Sequence, residues 1–171
     1  LSLYKKKLAG TLTDIGGYSF NCHKHIQCGE GGMIVTNNFK IYQKLLLLRN
    51  HGEIVIENPS FKVNKNLLTN LIGYNYRLSE IQAAIAYQQL KKLKYFVKDR
   101  QRVAKKLIKK LKNLNGIILP HIDKKNSHAF YIFPINLNLK LLPKGITRSK
   151  IVNALVAEGV TGLSEGYFNL H

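Results

Sequence analysis

The chain is short of acidic residues, of cysteine and of long apolar runs, and each shortage excludes something. Nine Asp and Glu stand against 27 Lys and Arg, a formal net charge of +18. Two cysteines, Cys22 and Cys28, cannot build a disulfide framework, and no zinc-type spacing surrounds them. They read as free thiols in a reducing cytoplasm. The run Leu45 to Leu48 is stopped by Arg49, far short of what a bilayer requires. Behind Leu1-Ser2-Leu3-Tyr4-Lys5-Lys6-Lys7 there is no apolar segment of the kind a signal peptide needs. These shortages point to a cytoplasmic protein with no membrane partner. The single methionine is Met33, and Tyr167-Phe168-Asn169-Leu170-His171 stops in mid-pattern, so the expectation is a fragment at both ends.

The excess of basic residues invites a nucleic-acid reading, which the choice of basic residue weakens. Only five are arginine (49, 77, 100, 102 and 148), whereas base and phosphate readers favour Arg for its bidentate geometry. The lysines fall on the outer faces of expected helices, so a solvated surface with no nucleic-acid partner is the better reading. A charge this high still draws anionic ligands in general. At 45% apolar residues a packed core is possible, and 171 residues suffice for one domain or for parts of two.

The pattern along the chain is α/β. Tyr4 to Thr13 reads as a polar strand and turn tipped by Lys5-Lys6-Lys7, and Asp14 to Phe20 as a short buried strand entered through glycines. Met33 to Thr36 is the next strand, and Asn38 can cap a helix running through Leu48 that Gly52 ends. Residues 53–72 look irregular, the kind of stretch that serves as an interface arm. Ser79 with Gln82 forms a capping box for a helix on which Ile81, Ala84, Ile85 and Gln88 share one face. Helical periodicity resumes from about Leu93, with Val97, Ala104 and Ile108 opposite Lys98, Lys105 and Lys109. Ile117 to Leu119 and Ala129 to Ile135 read as strands, Thr147 caps a helix over 148–158, and Val160 begins another strand. A domain boundary near residue 95, or within that helix, divides the chain into 1–95 and 96–171.

One lysine stands apart from the other basic residues. Lys24 follows Ser19-Phe20 by three residues and precedes Gly29-Glu30-Gly31-Gly32 by four. A surface lysine is the default for any single Lys, but an amine between two strand ends and beside a glycine-rich turn suits a covalent anchor for a cofactor aldehyde, since lysine forms Schiff bases with carbonyl compounds. Three glycines around Glu30 imply a backbone that passes close to something or takes positive φ. Ser19 is placed to offer a hydroxyl to a phosphate. Glu30 is expected to hold the loop through backbone N–H groups.

This string resembles the cofactor-lysine segment of the DegT/DnrJ/EryC1/StrS family of pyridoxal-phosphate sugar aminotransferases. Counting from either side lands on Lys24, between His23 and His25, whereas related dehydratases carry His in place of that lysine. Five further stretches are similar in order. Tyr4 to Gly10 resembles a Tyr-x-Gly-Lys-x-x-Gly hairpin, with Lys6 in place of the glycine, and Arg49-Asn50-His51-Gly52 matches Arg-Asn-His-Gly. Gly73 to Leu78, with Gln82-Ala83-Ala84, resembles Gly-Tyr-Asn-Tyr-Arg-Met and Gln-Ala-Ala. Tyr131 to Pro134 resembles Tyr-x-x-Pro, and Tyr167 to His171 resembles Tyr-x-Pro-Leu-His with Asn169 replacing the proline.

The resemblance implies a partial α/β chain of PLP-dependent transferase fold type I. Residues 1–95 would be the C-terminal part of the large domain, carrying the last two strands of a mostly parallel seven-strand sheet, and 96–171 the start of the small domain. It implies that Lys24 holds pyridoxal 5'-phosphate, that Ser19 binds its phosphate, and that Asn75 reaches across a homodimer with a shared active site. His51, Arg77 and His171 are its substrate candidates; for His51 and Arg77 structural roles are the stronger reading. The implied reaction moves an amino group from an amino acid, glutamate being the expected donor, to a nucleotide-linked keto sugar for polysaccharide synthesis. The chain by itself is expected to be inactive. The alternatives are a non-enzymatic basic module and a family member with dehydratase chemistry.

Overall fold

Glycine-entered strands frame the loop that carries Lys24. The structure, a computed structural model, describes residues 2–53, 66 and 71–166. Two compact units are present: residues 1–101 with 122–131, and residues 102–121 with 132–171.

In the first unit β1 (Leu3–Tyr4) and β2 (Lys7–Leu8) form a tight antiparallel hairpin, Leu3 opposite Leu8. Its two turn residues, Lys5 and Lys6, both have positive φ, 46° and 67°, as a type I′ turn requires. Lysine is a costly choice at positions that favour Asn and Gly. The hairpin is tied back by the Leu3 and Ser127 amides, each donating to the other's carbonyl, and by the Lys5 N–H on Asn126 Oδ1 at 2.9 Å.

The pair β3 (Gly16–Ser19) and β4 (Gly32–Val35) is antiparallel, with Gly16 opposite Val35 and Ser19 opposite Gly32. Gly16 is required by close approach: a Cβ there would lie 1.7 Å from the Gly10 carbonyl oxygen. Tyr18 locks the two hairpins together by donating its hydroxyl to Ala9 O at 2.9 Å. Met33 and Ile34, neighbours that point to opposite faces of β4, are both exposed.

Helix α1 (Phe39–Arg49) starts as expected at Asn38, whose side chain accepts from the Lys40 and Ile41 amides. It ends through His51 and Gly52, both at positive φ, with the Gly52 N–H on Leu47 O at 2.9 Å. Segment 74–76 then returns alongside the helix exit: Tyr74 N–H donates to Leu48 O, His51 N–H to Tyr74 O, and Tyr76 N–H to Arg49 O. Helix α2 (Glu80–Leu111) begins with the reciprocal Ser79–Gln82 bonds of a capping box, 3.3 Å each way. The core of this unit is Ile26, Cys28, Leu47, Ala86, Val97 and Phe130.

In the second unit the end of α2 leads to β5 (Ile117–Ile118), paired antiparallel with β6 (Asn136–Leu137). A 3-10 turn at Leu139–Leu141 follows, then α3 (Arg148–Ala157), capped by Thr147 on the Lys150 amide. Among its described apolar residues only Ala104 is buried.

Several expectations are corrected. The helical pattern read as two segments is one 32-residue helix, because no Gly or Pro interrupts it. Its Ile81–Ile85 face is exposed, with Ile81 at 76%, and Ala86 is buried there instead, while Val97 and Ala104 of the later apolar stripe are buried as expected. Ala129 to Ile135 is not a strand: Phe130 has φ 52°, and pairing starts only at Asn136. Val160 to Gly166 is irregular. The described strands pair only antiparallel, in twos. Most of the irregular stretch 53–72 lies outside the described residues. Apart from these corrections, the compact units divide after Gln101, inside α2, with 122–131 returning to the first.

Candidate functional site

The loop between β3 and β4 is held as a built structure. Phe20 N–H donates to Gly31 O at 2.8 Å and Cys28 N–H to Phe20 O at 3.1 Å, closing its neck. Ile26 and Cys28 bury its inner side. Gly29 takes φ 87°, and a Cβ at Gly31 would press on Cys28 Sγ and Leu78 Cδ1 at 3.0 Å. Glycine at these positions therefore follows from positive φ and tight packing. Gln82, having capped α2, donates Nε2 to Glu30 O at 2.9 Å and ties the loop to the helix start. The Glu30 carboxylate differs from expectation: it accepts from the Asn21 side-chain amide at 2.6 Å, not from backbone N–H groups. Asn21 lies across the loop mouth and also accepts from the His23 N–H, so side chain meets side chain there.

Lys24 is half-buried, and its backbone N–H donates to Asn21 O at 2.9 Å. Its ammonium lies 4.1 Å from the centroid of the Tyr131 ring. Among the described residues it rests on that ring and not on a carboxylate. The neighbouring histidines are disposed differently. His23 is exposed, while His25 Nε2 is 2.8 Å from Ala129 O and its ring packs 6.2 Å from Tyr131. Burial pushes the His25 pKa down, the Arg100 charge acts in the same direction, and the bond to Ala129 opposes both.

The segment that presents Tyr131 is over-determined. Phe130, 5% exposed, holds φ 52°, a conformation costly for an aromatic residue. Its N–H donates to His128 Nδ1 at 2.8 Å, and Arg100 donates to Phe130 O and Tyr131 O at 3.3 and 3.5 Å. Gln101 donates to His128 O, and the Ala129 N–H donates to Ser2 Oγ. In the sequence Tyr131 is visible only as part of a Tyr-x-x-Pro resemblance that implies no role for it. Arg100 had no local signal, since the carbonyls it holds lie about 30 residues further along the chain.

Ser19 sits at the end of β3, exposed, and its Oγ accepts from the Asn21 N–H at 3.3 Å. That leaves its own hydrogen to give. Asn75 is exposed on a separate ladder, bridged to Asn50. Arg77 donates to Asn50 Oδ1 at 2.6 Å and so braces that ladder. Asn50 is buried, with its Nδ2 unpaired among the described residues. His51 is exposed at the turn, stacked Tyr74 and Tyr76 follow nearby in the ladder, and His171 lies outside the described residues. The structure thus groups Ser19, Lys24, Glu30 and Tyr131 about one loop and places Asn75, Arg77 and His51 on another. Neither a metal-binding cluster nor a helix long and apolar enough to cross a membrane occurs among the described residues.

Comparison with known proteins gives this arrangement a family. Residues 2–169 match the DegT/DnrJ/EryC1/StrS aminotransferase family. An uncharacterised protein of Methanocaldococcus jannaschii is 35% identical over 98% of this chain and 43% of its own length. GDP-perosamine synthase of Caulobacter vibrioides is 33% identical over 92% of this chain and 40% of its own. Among solved structures, an E. coli GDP-4-keto-6-deoxy-D-mannose-3-dehydratase with bound hydrated PLP superimposes with a TM-score of 0.75 at 28% identity, covering 93% of this chain and 42% of that one. The chain therefore spans about two fifths of the relatives it matches. It belongs to the DegT/DnrJ/EryC1/StrS aminotransferase family, and its fold is a partial α/β chain of PLP-dependent transferase fold type I.

Proposed function

We propose that this chain is the cofactor-lysine portion of a pyridoxal-phosphate aminotransferase acting on a nucleotide-linked keto sugar, with glutamate as the amino donor. The observation that carries the reading is Lys24: a half-buried amine on a braced loop, at the spacing from Ser19-Phe20 and Gly29-Glu30-Gly31-Gly32 that resembles the family's lysine segment. The relatives include a GDP-perosamine synthase and a transaminase of a UDP-linked amino sugar, which supports a nucleotide-sugar substrate.

The residues present suit the cofactor's two ends. An aldehyde calls for an amine and a phosphate for hydrogen-bond donors; Lys24 supplies the first and Ser19 contributes a hydroxyl to the second. When bound, pyridoxal phosphate supplies an electron sink for the carbanion formed at the substrate carbon. Lys24 Nζ accepts the proton from the carbon that loses nitrogen and returns it where nitrogen is gained. Glu30, through Asn21, and Gln82 keep the loop from moving while the amine changes partners. Asn75 serves the partner subunit's phosphate in a cytoplasmic homodimer. Arg77 acts by holding Asn50 in place, and His51, whose N–H donates to Tyr74 O, holds the turn that follows α1.

Dehydratase chemistry is the second reading, since a solved neighbour carries it. The register favours transamination: Lys24 holds the anchor position, and the His25 ring is engaged by Ala129 O.

Incubation of the purified protein with pyridoxal phosphate, borohydride reduction and peptide mass analysis tests the assignment. A pyridoxyl group on Lys24, lost in Lys24→Ala, is expected. Labelling scattered over surface lysines, with Lys24 bare, would sink it.

A further inference from the structure

We propose that Tyr131 is a positioning residue for Lys24, its ring face being the resting place of the Lys24 ammonium whenever that amine is not covalently engaged. The inference rests on the reading of Lys24 as the cofactor lysine and adds to it a residue far along the chain. Three observations carry it.

The ammonium lies 4.1 Å from the ring centroid, within the range in which an aromatic face attracts a cation. The ring is held firmly. His25 packs against it from one side, and Arg100 grips the two carbonyls that precede and include it. The backbone is also strained immediately before it, at buried Phe130 with φ 52°. Strain of that kind persists only where the surroundings enforce it, and here it sets the direction in which Tyr131 leaves the chain.

The charges around the pair explain why a ring and not a carboxylate is used. The Arg100 guanidinium sits on the Tyr131 carbonyl, and the Glu30 carboxylate is taken up by Asn21. A carboxylate at the Tyr131 position would pair tightly with the amine and hinder its release. A π face favours the ammonium modestly and has little hold on a neutral amine, so the lysine can leave it to attack a carbonyl and return to it afterwards.

The test uses Tyr131→Phe, which keeps the π face, and Tyr131→Leu, which keeps apolar bulk without it. Reductive methylation with isotopic formaldehyde places a magnetic-resonance probe on each lysine, and Lys24→Arg identifies the Lys24 signal. That signal should be displaced by the ring in the unmutated protein and in Tyr131→Phe, and should move to the position of ordinary lysines in Tyr131→Leu. An undisplaced Lys24 signal in the unmutated protein overturns the proposal with no variant needed, so a Leu variant that fails to fold does not protect it. The second readout is the initial rate at which pyridoxal phosphate is trapped on Lys24 by borohydride. Removing the face frees the amine, so Tyr131→Leu should be faster by about two- to thirtyfold, the range set by the strength of an ammonium–ring contact, while Tyr131→Phe stays at the unmutated rate. Equal rates in all three proteins, or equal slowing in both variants, would also overturn it. If Lys24 takes no label in any of them while the displaced signal is present, the cofactor assignment fails and the Tyr131 contact stands.

Discussion

The two compact units are built on different terms. The first surrounds Lys24 and has a core of its own, with Leu47 at 1% exposure beside Val97, Phe130 and the loop residues Ile26 and Cys28. The second has a paired strand, a 3-10 turn and a capped helix, yet Leu139, Leu141, Leu155, Val156 and Val160 are exposed and Ala104 is the one buried apolar residue among its described residues. Regular backbone is thus present in both, whereas apolar burial is concentrated in one. Helices of ten residues are marginal in water without a packed face, and α3 has no buried residue. Lys24 sits in the better-packed unit, where a loop can be held to a fixed geometry.

The sharpest way to break this contrast is at Gly16. A methyl there meets the Gly10 carbonyl at 1.7 Å, and backbone cannot give way as a side chain can. Gly16→Ala is expected to cost on the order of 4–5 kcal/mol and to abolish the cooperative unfolding of the first unit. A normal denaturation midpoint would show that the β3–β4 hairpin is not the frame of the site. Leu47→Ala comes next, with an expected loss of about 2–5 kcal/mol measured by chemical denaturation. Because Leu47 O also receives the Gly52 amide, the loss should appear together with faster amide exchange at 50–52.

The second unit should respond differently. Thr147→Ala removes the side-chain acceptor of the Lys150 amide at the start of α3. The expected cost is about 1 kcal/mol, read as faster exchange of amides at 149–151. The midpoint of the first unit should be unchanged. A coupled drop in that midpoint would mean that the two units unfold as one, and the contrast in burial would then carry no thermodynamic boundary.

Local chemistry was the part legible in sequence. Asn38, Ser79 with Gln82, Thr147 and Gly52 announce the ends of helices because capping is a matter of a few adjacent residues, and each is found in that role. Lys24 was legible because glycine spacing and register are also local. Periodicity misled where burial depends on partners outside the helix: the Ile81–Ile85 stripe is apolar and exposed, while small Ala86 faces inward. Ala129 to Ile135 has strand-forming composition, but His128, Arg100 and Gln101 capture its backbone and bend it at Phe130. Most of the bracing of Tyr131 could not be read from sequence, because Arg100, His25 and Ser2 are distant in the chain and only His128 is near.

The smallest effect expected is one of pH, and it bears on the first unit alone. Burial lowers the pKa of His25 from its ordinary 6.5, with the Arg100 charge assisting, so the folded protein resists a proton that the unfolded chain accepts readily. The sign follows directly. The stability associated with neutral His25 is whole above the unfolded value and is lost as pH falls through the lower, folded one. Acidification from neutral pH should therefore lower the denaturation midpoint of the unit that holds Lys24. What is at stake is the burial of the His25 ring, which packs 6.2 Å from Tyr131, so the loosening should be felt first around that ring. His25→Gln keeps a donor for the Ala129 carbonyl and removes the titration. It should flatten the slope of midpoint against pH below neutrality, even if the plateau itself is lower. Should the slope survive in His25→Gln, the acid sensitivity belongs to other groups and the packing of His25 against Tyr131 plays no part in it.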